Sequence, residues 1–472
     1  MFTKYKFVLA AVFLAALPAA AAAEDMLEPP VNKYFLSKGA WGQDYPDQWA
    51  LSHIGFDNSA NSAWRLVRRN AQPVIVAVID TGLDWNHRNI DWENIWRNSR
   101  ASPAKAELDN YADDVIGWDF FDRDNKPWDF DGHGTMVAGI IAGSWKDKDG
   151  MAGVNPFARL MILKAVNNFG VTRASFLAEA IAYAADHGAR VINLSVGGKG
   201  SAQVAKEAID YAYAKGAVIV VAAGNDGAEI KDYGIAMSEK ILLVGATGFD
   251  DQRMGFSNWG NISVAAPGLE ILSLRARRTD TMLGIEGVKY VPGANFVGED
   301  KRYYHASGTS FAAPLVSGLA SLMIANDPTL TNRQVMNIIK STARDVGTPG
   351  VDQFTGYGLI DARAALKAAR DYRLLVNIAA VESATAGGKQ VARVRGTADA
   401  DDLKSARLEI GAGESPTAWV PIGPVSRCDA VDCVLGDVPV AKLSGAKLWQ
   451  IRVIVEHSNG STREMRFRLS LG

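Results

Sequence analysis

The chain has 472 residues, too many for one ordinary domain and enough to bury a large core. Hydrophobic residues make up 48% and charged residues 22%, the balance of a folded globular protein rather than a disordered or repetitive one. The formal net charge of −2 leaves no basic field for nucleic acid and no polybasic membrane patch, and two cysteines are too few for a disulfide framework.

Lys4 and Lys6 precede an apolar run from Phe7 to Leu17, and Pro18 and a row of alanines follow as far as Ala23-Glu24. This order describes a secretory signal over residues 1–23. The apolar run is short for a membrane anchor, so no transmembrane segment is expected in the mature chain. A secreted, periplasmic or cell-surface location follows. Residues 24–45 are polar, carry Pro29-Pro30 and read as an extended arm.

From residue 46 the pattern becomes strand–helix. Strands are expected at Val74–Asp80, Leu160–Ala165, Arg190–Leu194, Val218–Ala222, Ile241–Gly245 and Ile262–Ala265. They are continuous apolar runs, the signature of a parallel sheet buried on both faces. Helices are expected at His133–Ala142, Ala174–His187, Ala202–Lys215, Thr309–Ala325, Asn332–Thr342 and Asp361–Ala369. The alternation predicts a doubly wound α/β domain over 46–372, with ligands at the carboxyl ends of its strands.

After Tyr372 the pattern changes to apolar–polar alternation, as in Gln390-Val391-Ala392-Arg393-Val394, with turns rich in Gly, Asp, Pro and Ser. Residues 373–472 therefore read as a small antiparallel β-sandwich, across whose boundary few contacts are expected. Cys428 and Cys433 fit a small disulfide loop in an exported chain.

Three stretches carry the chemistry. Val76-Ala77-Val78-Ile79-Asp80-Thr81-Gly82 is a buried strand ending on an aspartate. Asp131-Gly132-His133-Gly134-Thr135 sets a histidine between glycines at a helix start. Gly308-Thr309-Ser310-Phe311-Ala312-Ala313-Pro314 sets a serine at the start of another helix. A helix N-terminus offers free N–H groups to a developing negative charge, and Pro314, read as lying in the first turn, costs little there. Alone, Ser310 would read as a helix cap. Asp, His and Ser together, each at an element end, are the parts of an acyl-transfer site.

In order and in wording the three motifs resemble those of the subtilisin-like serine peptidases, over roughly residues 46–370. The resemblance implies a secreted serine endopeptidase acting on protein or peptide substrates, with Ser310 as nucleophile, His133 as base and Asp80 orienting the histidine. The rivals are His87 for the base and Asp84 for the aspartate. Val220-Val221-Ala222-Ala223-Gly224-Asn225 resembles the segment that supplies an oxyanion-binding amide, which assigns Asn225 that role. Ser195, Val196, Gly197 and Gly198 resemble the edge that pairs with an extended peptide.

Asp119, Asp122 and Asp124 lie close together just before His133 and resemble a calcium loop of thermitase-type relatives, which makes structural calcium a candidate cofactor. A solvated acidic loop balanced by Arg123 and Lys126 is the alternative. A second cation loop would hold Asp147 and Asp149, but Asn89 stands where relatives carry aspartate. Two other functions compete with the enzyme: a catalytically dead peptide-binding relative, and an adhesion or docking protein acting through the C-terminal β-domain on a surface or matrix.

Overall fold

The computed structural model describes residues 25–99, 111–196, 203–277 and 295–471. The proposed signal, Gly197 and Gly198 lie outside the described residues.

The arm is not a free extended segment. Leu27 N donates to Val67 O (2.8 Å), and Arg69 N to Asp25 O (2.8 Å). A short helix, α1 (Lys33–Leu36), follows, and Tyr34 packs on Tyr303 with ring centroids 4.7 Å apart. Helix α2 (Trp49–His53) then enters the main core.

Seven strands form one parallel sheet: β1 (Val74–Asp80), β2 (Gly117–Asp119), β3 (Ala158–Lys164), β4 (Val191–Leu194), β5 (Val218–Ala222), β6 (Ile241–Thr247) and β7 (Val264–Pro267). Their spatial order is β2-β3-β1-β4-β5-β6-β7. Of these, β2 was not expected; a three-residue edge strand leaves no readable apolar run. Helices α3 (His133–Ala142), α4 (Ala174–Asp186), α5 (Gln203–Ala214) and α6 (Thr309–Asn326) cover both faces. Val76 and Val78 of β1 face the core built with α3 and α6, while Ala77 and Ile79 face the core under α4 and α5. This two-sided burial is why the strands read as unbroken apolar runs. Because β1 pairs with β3 on one side and β4 on the other, its carboxyl end is the switch point of the sheet.

A small antiparallel sheet of β8 (Ile271–Leu274), β9 (Phe296–Val297) and β10 (Tyr303–Ala306) leads into α6. Helix α7 (Asn332–Thr342) starts on a capping box between Thr331 and Gln334, and α8 (Ala362–Lys367) follows. The C-terminal region consists of antiparallel strands β11 (Leu374–Ala386), β12 (Lys389–Ala400), β13 (Leu403–Ala412), β14 (Val420–Pro424), β15 (Cys428–Pro439), β16 (Leu448–His457) and β17 (Thr462–Ser470). They form two sheets, ordered β11-β12-β15 and β14-β13-β16-β17, which share one apolar core. Cys428 and Cys433 are bonded to each other.

The junction between the two regions differs from the expectation of few contacts. Buried Arg463 of β17 donates to Ser341 O (3.0 Å), Ala343 O (2.9 Å) and Tyr357 O (3.1 Å). The first two lie at the end of α7, where carbonyls lack an intrahelical partner and a cation is favoured. The Tyr357 hydroxyl donates to Val376 O and accepts from Val376 N, and Val351 N donates to Glu464 O. The shift in composition near Tyr372 marks a change of secondary structure, not a gap in packing.

Replacing Arg463 with methionine should leave buried carbonyls unpaired and cost about 2–4 kcal/mol. A chain ending at Arg370 should lose more, because it also exposes Tyr357 and Val351. Urea denaturation checks both; an unchanged midpoint in both would make the C-terminal sheets independent of the parallel one.

Candidate active site

Asp80 ends β1 with its side chain fully buried. Its Oδ1 accepts from Thr81 N (2.8 Å) and faces His133 Nδ1 at 2.7 Å. This approach depends on two glycines. Gly132, in the left-handed region at φ 110°, caps α3 and turns the chain into it. At Gly134 a Cβ would fall 2.3 Å from Gly82 O and 3.2 Å from the Asp80 Cβ, so any larger residue would push α3 off the end of β1.

A second carboxylate fixes the same junction. Buried Asp129 accepts at Oδ1 from Thr81 Oγ1 (2.9 Å), Asp131 N (3.1 Å) and Gly132 N (2.7 Å). At Oδ2 it accepts from Thr135 N (2.9 Å) and Thr135 Oγ1 (2.6 Å). Thr81 Oγ1 in turn accepts from Gly134 N (2.8 Å). The strand carrying Asp80 and the helix carrying His133 are thus tied through one buried acid, which the sequence reading did not single out. Its signal was present: an Asp-x-Asp pair just ahead of the histidine, with Thr135 behind it.

These charges set the histidine's titration. Burial pulls the His133 imidazole's pKa down, but Asp80 above all, with Asp131 and Asp129, outweighs it and raises it to about 9. Burial pushes Asp131 up to about 6, against the pull of His133, whose backbone N–H its Oδ1 accepts (3.1 Å).

Ser310 lies in the first turn of α6, behind Gly308. Phe311 beside it packs on the His133 ring, centroids 5.5 Å apart. The helix starts at Thr309, so the N–H missing at Pro314 is the one that would bind Ser310 O, which corrects the reading of Pro314 as a first-turn residue. Ser195 Oγ takes that place, donating to Ser310 O (2.9 Å), while Ser310 Oγ donates to Ser195 O (3.0 Å). Ser310 Oγ makes no hydrogen bond to His133 in this arrangement. Asn225 Oδ1 accepts from Thr309 N (2.9 Å) and Thr309 Oγ1 (3.0 Å). Its Nδ2 is left turned toward Gly308, 3.5 Å from where a Cβ there would lie.

The remaining expected residues fall as follows. Ser195 and Val196 follow the carboxyl end of β4; Gly197 and Gly198 lie outside the described residues. His87 is buried away from the Asp80 pair, with Nε2 at 2.9 Å from Arg302 O. Asp84 is held by Arg277 and accepts from its backbone N–H (3.0 Å).

Asp119, Asp122 and Asp124 are not gathered around one point. Asp119 Oδ1 accepts from Phe121 N (2.8 Å) and Asp122 N (2.9 Å), and its Oδ2 lies 3.2 Å from the buried Lys164 ammonium. Asp124 Oδ1 accepts from Lys126 N (2.8 Å), and Asp122 is exposed. No group of three His, Cys, Asp or Glu able to hold a metal occurs among the described residues. The calcium expectation does not fit the loop in this arrangement, in which Asp119 is paired with Lys164 and the other two carboxylates point elsewhere.

Comparison with known proteins matches the subtilase family (Peptidase_S8) to residues 71–358. The chain is similar to a thermophilic serine proteinase of Bacillus sp. (strain AK1), at 34% identity over 64% of this chain and 63% of that protein. It is also similar to a cell wall-associated protease of Bacillus subtilis (strain 168), at 32% identity over 71% of this chain and 36% of that one. The chain thus spans less than two thirds of the length of either relative. Among solved structures, MycP1 with its N-terminal propeptide removed aligns at a TM-score of 0.51 and 33% identity, covering 68% of this chain and 96% of that one. The family match runs across the whole parallel sheet, from the strand that ends on Asp80 to the turn beyond α7, and the chain belongs to the subtilase family.

Proposed function

We propose that the protein is a serine endopeptidase that hydrolyses protein or peptide substrates through Asp80, His133 and Ser310. The single observation that carries this reading is the 2.7 Å contact of buried Asp80 with His133, beside the helix N-terminus that bears Ser310. Asp80 fixes Nδ1–H and leaves Nε2 as the basic nitrogen. Nε2 takes the Ser310 proton as Oγ attacks the substrate carbonyl carbon. The carbonyl π electrons move to oxygen, and Asn225 Nδ2 and Ser310 N donate to that oxyanion. Collapse breaks the C–N bond, His133 gives its proton to the leaving amine, and water repeats the sequence on the acyl-enzyme.

Ser195 to Gly198 supply the edge along which an extended peptide pairs. Residues 1–23 serve as an export signal, 24–45 as an N-terminal arm, 46–372 as the catalytic region and 373–472 as an accessory β-sandwich. The location is secreted, periplasmic or cell-surface, in keeping with the name of the cell wall-associated relative. The C-terminal sheets are assigned docking on a surface or matrix in addition to their clamp on α7. Subtilases commonly bind calcium, but none is assigned to Asp119, Asp122 and Asp124.

Ser310→Ala should lower kcat on a small chromogenic peptide by on the order of 10⁶, the size of the loss in subtilisin, while leaving the fold intact. A serine-directed fluorophosphonate should label the native protein and not the variant. Turnover near that of the native protein in Ser310→Ala would overturn the mechanism.

A base must be neutral to accept a proton, so activity is absent below the pKa of His133 and appears as pH rises through it. The rising limb of kcat/KM should lie near pH 9. Asp131→Asn removes one of the charges that hold the imidazolium and should move the limb to lower pH. A pH–rate profile of both proteins checks this; a limb unmoved by the substitution would mean that Asp131 does not act on His133.

A further inference from the structure

The loop after helix α3, residues 144–151, presents several backbone carbonyls to the N-terminal arm. Three of them converge on one side chain from the N-terminal arm. Asn32 Nδ2 donates to Ser144 O (2.9 Å), Asp147 O (2.7 Å) and Met151 O (3.3 Å), with one of its hydrogens shared. A second amide, Asn89 Nδ2, donates to Ser144 O (2.9 Å) and Met151 O (3.1 Å). Gly150 N donates to Asp147 O (2.9 Å). A carbonyl oxygen has two lone pairs, and each of these three oxygens has two donors, so none is left for a cation. Both asparagines are fully buried.

The carboxylates of the loop are also engaged. Arg88 binds Asp147 through Nε (2.9 Å) and Nη2 (2.7 Å) and lies 3.3 Å from Asp149. Hard cations bind where several oxygens, some of them carboxylate, are free to turn inward. Here neutral amide donors fill the centre and a guanidinium holds the acids outside it. On the other side of the site Lys164 does the same for the Asp119 loop, its ammonium 3.2 Å from Asp119 Oδ2 and 3.1 Å from Trp128 O.

We infer that both loops flanking the His133 helix are braced by the chain's own N–H donors in the place of bound calcium, and that the arm residue Asn32 is the brace of the loop behind α3. The arm is fastened there by its backbone as well, with Lys33 N on Lys148 O (2.7 Å) and Tyr34 N on Gly150 O (3.1 Å). The amide orientation matters. Asn32 Oδ1 is buried with no donor, and exchanging it with Nδ2 would turn an oxygen toward three carbonyl oxygens. That exchange is favourable only with a cation between them, which gives the inference its clear alternative.

The test is a calcium titration of the full chain, followed by calorimetry and by melting temperature in EGTA and in millimolar calcium. It does not depend on peptidase activity. The native protein should show no binding heat and the same melting temperature, within about 1 °C, in both buffers. Asn32→Ala should melt several degrees lower, equally in both. Asn32→Asp, which sets a carboxylate among the three carbonyls, should melt lower in EGTA and recover in calcium. Calcium binding by the native protein, with a melting temperature that falls in EGTA, would overturn the inference by showing that the amide oxygen faces a cation. An Asn32→Ala protein as stable as the native one would overturn the bracing role of the arm.

Discussion

The structure around the site depends on one carboxylate that takes no part in the proposed chemistry. Asp129 collects five donors from Thr81, Asp131, Gly132 and Thr135, and so joins the end of β1 to the start of α3. Together with the hydrogen bond from Gly134 N to Thr81 Oγ1, that tie supports the 2.7 Å contact between Asp80 and His133. A buried acid is costly to place and tolerable only when its lone pairs are filled. Here they are filled by backbone and hydroxyl donors that must then stay where they are. The same cluster of acids raises the imidazole's affinity for a proton, so rigidity and basicity of His133 come from one local arrangement.

A second constraint recurs at three places: carbonyls that secondary structure leaves unpaired are met by donors from distant segments. Pro314 frees Ser310 O, and Ser195 Oγ takes it. The loop after α3 turns three carbonyls inward, and Asn32 and Asn89 take them. The end of α7 leaves Ser341 O and Ala343 O, and Arg463 takes them. In each case an unmet acceptor in the interior would cost as much as the new bond contributes, so the partner is held as firmly as a core side chain.

This explains what the sequence made legible. β1 and β5 lie over the residues where their apolar runs stand, and α3 and α7 span the residues expected of them. Local periodicity and caps determine those elements. Asp80, His133 and Ser310, the residues of the proposed site, stood out in the sequence because each sits at an element end marked by glycine. What could not be read depended on partners far along the chain. Asp119, Asp122 and Asp124 looked like a cation loop because nothing nearby announces that Lys164, at the end of a neighbouring strand, pairs with Asp119. The arm looked extended because Asn32 carries no local signal; its reason for being there is a loop beyond α3. The boundary at Tyr372 looked like a break because composition records strand against helix, whereas Arg463 and Tyr357 record contact.

These long-range donors have a direction. Asn32 belongs to the N-terminal arm and Arg463 to the last strand, yet both close off ends of helices that pack on the central sheet. α3 carries His133 at its other end, and α7 packs against α6, which carries Ser310. The arm and the last strand therefore brace the helix that carries His133 and the helix packed against the one that carries Ser310, the two side chains proposed to react. The periodicity of the parallel sheet accounts for its own strands and crossovers, whereas the ends of α3 and α7 draw hydrogen-bond donors from the arm and from the last strand. The sequence divides into visibly different halves, yet buried hydrogen bonds cross from each end of the chain to the helices of the central sheet.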